Sequence, residues 1–229
     1  MGKQQAGTRR YRLLHAPNRL TIEGSVSPIP TVFVVDDDAA VRKGLARLLR
    51  SAGLPVATFA SPREFLDRHD PNAPGCLVLD VAMPGLNGLE LQQVLLAGGH
   101  ELAIVFLTGH GDIPMSVQAM KRGAVDFLTK PVNDDDLLAA VRVAIEKDRL
   151  QRAERAEVAD IQQRLATLTP REREVLQHLI TGQLNKQIAA DLGTVEKTIK
   201  VHRARVLEKM RVHSVAELVH LAERAGIVG

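Results

Sequence analysis

Five polar side chains stand at or just beyond the ends of short apolar runs. Asp36 and Asp37 follow residues 32–35, Asp80 follows 76–79, Thr108 follows 103–107, and Lys130 comes two residues after 124–128. If those runs are parallel strands of one sheet, their carboxyl ends meet where open parallel sheets bind ligands. Three carboxylates gathered there repel one another and invite a hard divalent cation with oxygen ligands, for which Mg2+ is the natural candidate. With that charge neutralised, a carboxylate can attack phosphorus and form an aspartyl phosphate, which a nearby hydroxyl and amine can hold. Taken singly, each residue has a plainer reading. Residues 36–38 could cap a helix, Asp80 could open a turn before Pro84, Thr108 suits any strand, and Lys130 suits any surface. Their joint occurrence at strand ends points to a site.

The elements that must position them are legible as apolar runs alternating with helically spaced segments. Runs at residues 32–35, 56–59, 76–79, 103–107 and 124–128 read as five short buried strands. Between them lie Val41, Leu45, Leu48 and Leu49 before Gly53, then Phe65 and Leu66 after the Ser61-Pro62 start signal, then helices near 89–96 and 114–120. Alternation of this kind implies right-handed crossovers and a doubly wound α/β layer with a five-stranded parallel sheet. Asn133 is a good N-cap with three aspartates in the following turn, and no Gly or Pro interrupts residues 132–169. A long helix is expected there. Its charged stretch 146–157 reads as a solvated interdomain segment, and the brief heptad of Val158, Ile161, Leu165 and Leu168 as a surface that could pair with another chain.

From Thr169 onward the pattern is entirely helical: a start at Pro170, a stop at Gly182, a short helix near 185–192, Gly193, a second helix near 195–210, and a last one near 214–225. Helix, tight glycine turn, helix is the helix-turn-helix pattern. Between residues 197 and 211 six basic side chains face one acid, Glu208, a density suited to phosphates and major-groove entry. On a helical wheel Ile199, Val206, Leu207 and Met210 point inward, while Lys197, Lys200, Val201 and Ala204 point outward. Val201 and Ala204 can touch a thymine methyl, and Lys200 can reach guanine acceptors. No aromatic residue lies beyond Phe127, so a base-stacking platform for single strands is not expected.

Charge follows the same divisions: residues 1–30 are basic, 31–150 acidic and 151–229 basic. The expected organisation is a flexible extension over 1–30, a phosphoacceptor domain over 31–147, a linker helix over 148–167 and an all-α four-helix domain over 168–229. His69, His100 and His110 lack metal-ligand spacing, Cys76 reads as packing, and no glycine-rich nucleotide loop is present. No apolar run approaches a membrane span, a single cysteine makes no internal disulfide, and no export signal is evident, so a cytoplasmic protein without membrane contact is expected.

Residues 31–145 resemble the receiver domains of bacterial response regulators, which have a flavodoxin-like fold. The likeness lies in Val34-Val35-Asp36-Asp37-Asp38, in Leu79-Asp80 with Met83-Pro84-Gly85 and Asn87-Gly88, in Leu107-Thr108-Gly109-His110-Gly111-Asp112, and in Ala124-Val125-Asp126-Phe127-Leu128-Thr129-Lys130-Pro131. It implies that Asp80 is the phosphoacceptor and that Asp36, Asp37, Asp80 and the carbonyl of Ala82 arrange Mg2+. It also implies that Lys130 bonds the phosphoryl oxygens, that Thr108 and Phe127 move inward together, and that Lys130-Pro131 is cis.

Residues 168–226 are similar to the LuxR-type helix-turn-helix domain of the FixJ and NarL group. The match lies in residues 168–176, in Asn185-Lys186-Gln187-Ile188-Ala189, and in residues 197–203 through Lys209-Met210. The resemblance implies that Lys197, Thr198, Lys200, Val201 and His202 face DNA, with Asn185, Lys186 and Arg205 at phosphates. His202 reads equally well as a core or capping residue. Thr194-Val195-Glu196 departs from the Ser-Pro entry common in that family, which leaves the helix start and the role of Glu196 open.

The joint implication is a transcription regulator, not a metabolic enzyme. A sensor histidine kinase phosphorylates it, homodimerisation follows, and the dimer binds double-stranded DNA and contacts RNA polymerase. Two rivals are weighed. A phosphohydrolase with an aspartate nucleophile would place an acid two residues further on, where Ala82 stands. A phosphate relay with a protein-docking tail would lack salt-dependent duplex binding.

Overall fold

The computed structural model describes residues 29–109 and 113–227. The chain runs β1 (Thr31–Val35), α1 (Ala39–Ser51), β2 (Val56–Phe59), α2 (Pro62–Arg68), β3 (Gly75–Asp80), α3 (Gly88–Ala97), β4 (Ala103–Thr108) and α4 (Ile113–Lys121). It continues through β5 (Asp126–Thr129), α5 (Asp134–Ala166), α6 (Pro170–Ile180), α7 (Asn185–Asp191), α8 (Glu196–Met210) and α9 (Val215–Arg224). The expected N-terminal extension, up to residue 28, and His110 lie outside the described residues.

All five strands are parallel in the order β2-β1-β3-β4-β5, the flavodoxin-like arrangement. Strand side chains alternate between faces, so each apolar run supplies two cores. Val32, Val34, Cys76, Val78, Ala103, Val105 and Leu107 pack with Leu45 and Leu49 of α1 and Leu137, Val141 and Ala144 of α5. Phe33, Val35, Leu77, Leu79, Ile104 and Phe106 pack with Phe65 of α2, Leu91 and Leu95 of α3 and Ala119 of α4. Each such large side chain, once buried, contributes about 1.5–3 kcal/mol of transfer free energy.

Two elements differ from the reading of the sequence. The fifth strand starts at Asp126, not Ala124, because Ala124 N–H still bonds back to Ala119 in the α4 cap. The ladder is joined only at Val125, whose N–H reaches Ile104 at 2.7 Å. The charged stretch near residue 150 is also not wholly solvated. Asp148 is buried and accepts the Gly75 N–H at 2.9 Å. Arg152 Nε donates to both Asp148 oxygens, and its guanidinium donates to the carbonyls of Asn72 and Ala73 at 2.8 and 2.6 Å. The two residues staple α5 to the loop before β3. Gly75 also lets β1 come close on its other side, since a Cβ there would lie 1.8 Å from Thr31 O.

The last turns of α5 join a third core, in which Ile161 packs with Val175, Leu176 and Leu179 of α6, Ile188 of α7, Ile199, Val206 and Met210 of α8 and Leu218 of α9. Helix α6 starts with a capping box, Thr169 accepting from Glu172 N–H and Glu172 from Thr169 N–H. The Glu172 carboxylate is buried and lies 2.6 Å from Lys209 Nζ of α8.

That pair is expected to make the helical core acid-sensitive. The hydrogen bond from Lys209, then that from Thr169 N–H, hold the Glu172 carboxyl at about 2 against an ordinary 4.5. A depressed folded-state pKa contributes stability that is complete above about 4.5 and lost as pH falls toward 2. Glu172→Gln is expected to cost about 2 kcal/mol at pH 7 and to flatten the fall in amide-exchange protection of α6–α9 over that acid window. An equally steep fall in the variant would assign the sensitivity to other groups.

Candidate functional site

Register explains why the polar residues converge. Val35 pairs with Leu79, Asp80 with Leu107 and Thr108 with Thr129, so the chain positions just beyond β1, β3, β4 and β5 emerge at one level. The adjacent strands β1 and β3 send α1 and α3 to opposite faces of the sheet, which opens a crevice at their carboxyl ends. Asp36, Asp37 and Asp80 each present a carboxylate oxygen within 4.8 Å of the others.

Asp36, 1% exposed, is held from two sides. Its Oδ1 accepts the Asp38 N–H at 2.8 Å, and its Oδ2 accepts Lys130 Nζ at 2.6 Å. The same ammonium lies 3.1 Å from Asp80 Oδ2, while Asp80 Oδ1 accepts the Ala82 N–H at 3.4 Å. The Asp80 side chain keeps 7% exposure, and Asp37 is exposed beside it. Burial pushes the Asp80 carboxyl upward and the charge of Asp36 adds to this, against the opposing pull of Lys130. Burial disfavours the Lys130 ammonium, yet its bonds to Asp36 and Asp80 outweigh that and raise it. Three carboxylates against one ammonium leave a negative cluster of hard oxygens, the donor set that suits a small divalent cation.

Thr108 is buried at the end of β4, and its carbonyl accepts the Lys130 N–H at 2.7 Å, tying the lysine to that strand. Phe127 is half-buried with its ring 5.9 Å from that of Phe106, and the Lys130-Pro131 bond is cis. Ala82 is exposed at the pocket rim. Sequence reasoning passed over two supports. Arg42 Nη1 donates to the Asp36 carbonyl at 2.6 Å, and a Cβ at Gly88 would lie 2.3 Å from the Asp80 carbonyl oxygen. The Asn87-Gly88 pair carried a signal, Asn87 being the N-cap of α3 with a full capping box and Gly88 its first residue.

Helices α7 and α8 form the second candidate surface. Glu196, Lys197, Lys200, Val201, Ala204, Arg205 and Glu208 are exposed along one stripe of α8, while Ile199, Val206 and Met210 are buried. Lys197, Lys200, Val201 and Arg205 thus share a face, and Thr198 and His202 sit half-buried at its flanks, with His202 Nδ1 enclosed. Lys186 is exposed on α7, and Asn185 accepts from Arg203 Nη1 at 3.4 Å. Glu196, left open by the sequence, occupies the first position of α8 and lies 3.0 Å from Lys200. Val195 at the N-cap provides no side-chain cap.

Comparison with known proteins finds a family for each of these regions. Residues 32–142 match the family described as the response regulator receiver domain, and residues 166–222 match bacterial regulatory proteins of the luxR family. The chain is 49% identical over 196 residues to nodulation protein W of Bradyrhizobium diazoefficiens, covering 86% of each chain. It is 46% identical over 196 residues to the transcriptional regulatory protein FixJ of Azorhizobium caulinodans, covering 86% of this chain and 93% of that one. The solved structure of the response regulator StyR superposes with a TM-score of 0.78 at 49% identity, covering 86% of this chain and 99% of that one.

The close approach at Gly88 is testable. Gly88→Ala forces backbone apart at Asp80 and is expected to lower unfolding free energy by about 1–3 kcal/mol, as overpacking does, measured by urea titration. Gly109→Ala, where a Cβ meets nothing within 4 Å, is the control and should stay near wild type.

Proposed function

Since this chain belongs to the response regulators that join a receiver domain to a LuxR-type DNA-binding domain, we propose that phosphorylation of Asp80 by the partner histidine kinase controls dimerisation and sequence-specific duplex binding. The observation that carries this reading is the bridging of Asp36 and Asp80 by Lys130 at 2.6 and 3.1 Å. The division proposed is a receiver over 31–147, a linking stretch over 148–167 and a DNA-binding domain over 168–229, with residues 1–30 as an extension.

In the proposed reaction an Asp80 oxygen attacks the phosphorus of a phosphohistidine, the N–P bond breaks, and the imidazole leaves. Lys130 donates to the phosphoryl oxygens, and the Thr108 hydroxyl closes on them as Phe127 turns inward. Asp36, Asp37, Asp80 and the Ala82 carbonyl would hold Mg2+, which when bound supplies positive charge to the phosphoryl oxygens. Among the described residues no helix is long and apolar enough to cross a membrane, in keeping with a cytoplasmic site of action.

The output surface is read from α4. Ile113, Val117 and Met120 recur at helical spacing, and all three are exposed, Ile113 at 76%. An apolar stripe of this kind on a helix packed against β5 favours pairing of two receivers once the end of β5 shifts. A twofold dimer would present two α8 helices to symmetric half-sites. Bound there, it would stand where RNA polymerase can be contacted.

Incubation with a small phosphodonor and Mg2+ is expected to label wild type and to raise its dimer fraction and duplex affinity, with Asp80→Asn unlabelled and unresponsive. Chelation with EDTA should abolish labelling. Equal incorporation into Asp80→Asn would show the nucleophile to be another group.

A further inference from the structure

The outward stripe of α8 carries one acid among its cations at the end that leads into a major groove. Glu196 is the first helical residue, and its Oε1 lies 3.0 Å from Lys200 Nζ, with 47% and 64% of the two side chains exposed. The N-terminal turns of a recognition helix are the part that reaches base edges. An ionised carboxylate only accepts hydrogen bonds and an ammonium only donates them. Thymine O4 and guanine O6 and N7 repel the first, while cytosine N4 and adenine N6 satisfy it. At i and i+4 the two side chains present one acceptor beside one donor. That is the complement of a C·G edge, where the cytosine amino group stands beside the two acceptors of guanine. An A·T edge splits its acceptors on either side of the adenine amino group, so Lys200 would meet one there, not two.

We propose that Glu196 and Lys200 form a base-reading pair that selects C·G at one position of each half-site, Glu196 accepting from cytosine N4 and Lys200 donating to guanine. This rests on the reading above, in which α8 enters the major groove. The carboxylate also opposes phosphates, so it weakens binding to every duplex except where an amino group meets it; this is specificity by exclusion as well as by attraction. An intrahelical ion pair alone would support α8 and leave base choice unchanged.

The test is selection from a randomised duplex pool at fixed ionic strength. Full-length protein treated with phosphodonor and Mg2+ is compared with Glu196→Ala, Glu196→Gln and Lys200→Gln, with thermal unfolding of each recorded. Wild type is expected to enrich C·G at one position per half-site. Both Glu196 variants should lose roughly tenfold of the cytosine-over-thymine preference there and keep the other positions, and Glu196→Ala should bind nonspecific duplex more tightly. Lys200→Gln should relax the same position. The exposed, isosteric Glu196→Gln keeps the comparison available if the alanine variant folds poorly. If folded Glu196 variants select the wild-type sequence with unchanged preferences, the pair is structural and the inference is wrong. If wild type enriches no sequence at all, the DNA-binding reading itself fails, and the pair with it.

Discussion

One ammonium group organises the receiver. Lys130 Nζ stands between Asp36 Oδ2 and Asp80 Oδ2, and it joins chain segments up to 94 residues apart in sequence. Two nearly buried carboxylates cannot be left side by side without a cation, since desolvation and mutual repulsion both disfavour their charge. The five parallel strands provide the level at which all three groups meet, and the carbonyl of Thr108 fixes the lysine backbone against β4. Any new charge at Asp80 therefore competes for the same ammonium. Phe127 and Lys130 stand three residues apart at the end of β5, which the function proposed above makes the moving part of the sheet.

Helix α5 extends this logic along the chain. Its first turns close the sheet with apolar side chains, its middle is stapled by Asp148 and Arg152 to the loop before β3, and its last turns enter the helical core with Ile161. Arg164 adds a bond to the Met210 carbonyl, and Arg224 of α9 pairs with Glu157. Between those anchors residues 153–157 are exposed, while Asp148 and Arg152 hold the stretch before them. This gives the charged stretch a structural role that its composition does not suggest. Cys76 sits beneath the same helix with its thiol pushed up to about 12 by burial, so it serves as packing.

In the helical region, charge is divided by depth. The buried Glu172 carboxylate meets the half-buried Lys209 and ties α6 to α8, whereas Glu196, Lys200 and Arg205 remain on the outer stripe. In the function proposed above, the exposed residues are the ones that would meet a duplex, with cations for the phosphates and a carboxylate to discriminate among bases.

The elements, their order and the polar residues at the strand ends were legible because they depend on local periodicity. Strands show as short apolar runs, helices as i, i+3, i+4 spacing with start signals at Ser61-Pro62, Asn133 and Pro170, and a parallel sheet follows from their alternation. What the sequence by itself determined was therefore the doubly wound sheet, the helix-turn-helix, and the residue types offered at Asp36, Asp37, Asp80, Thr108 and Lys130. Only the tertiary structure decided which partners those charges take. That Asp148 is buried against Gly75, that Arg42 reaches the Asp36 carbonyl, that Gly88 must lack a Cβ and that Glu172 pairs with Lys209 are contacts between distant segments. Pattern along a chain reports which face of an element is apolar; the burial and pairing of a charge depend on what packs across from it.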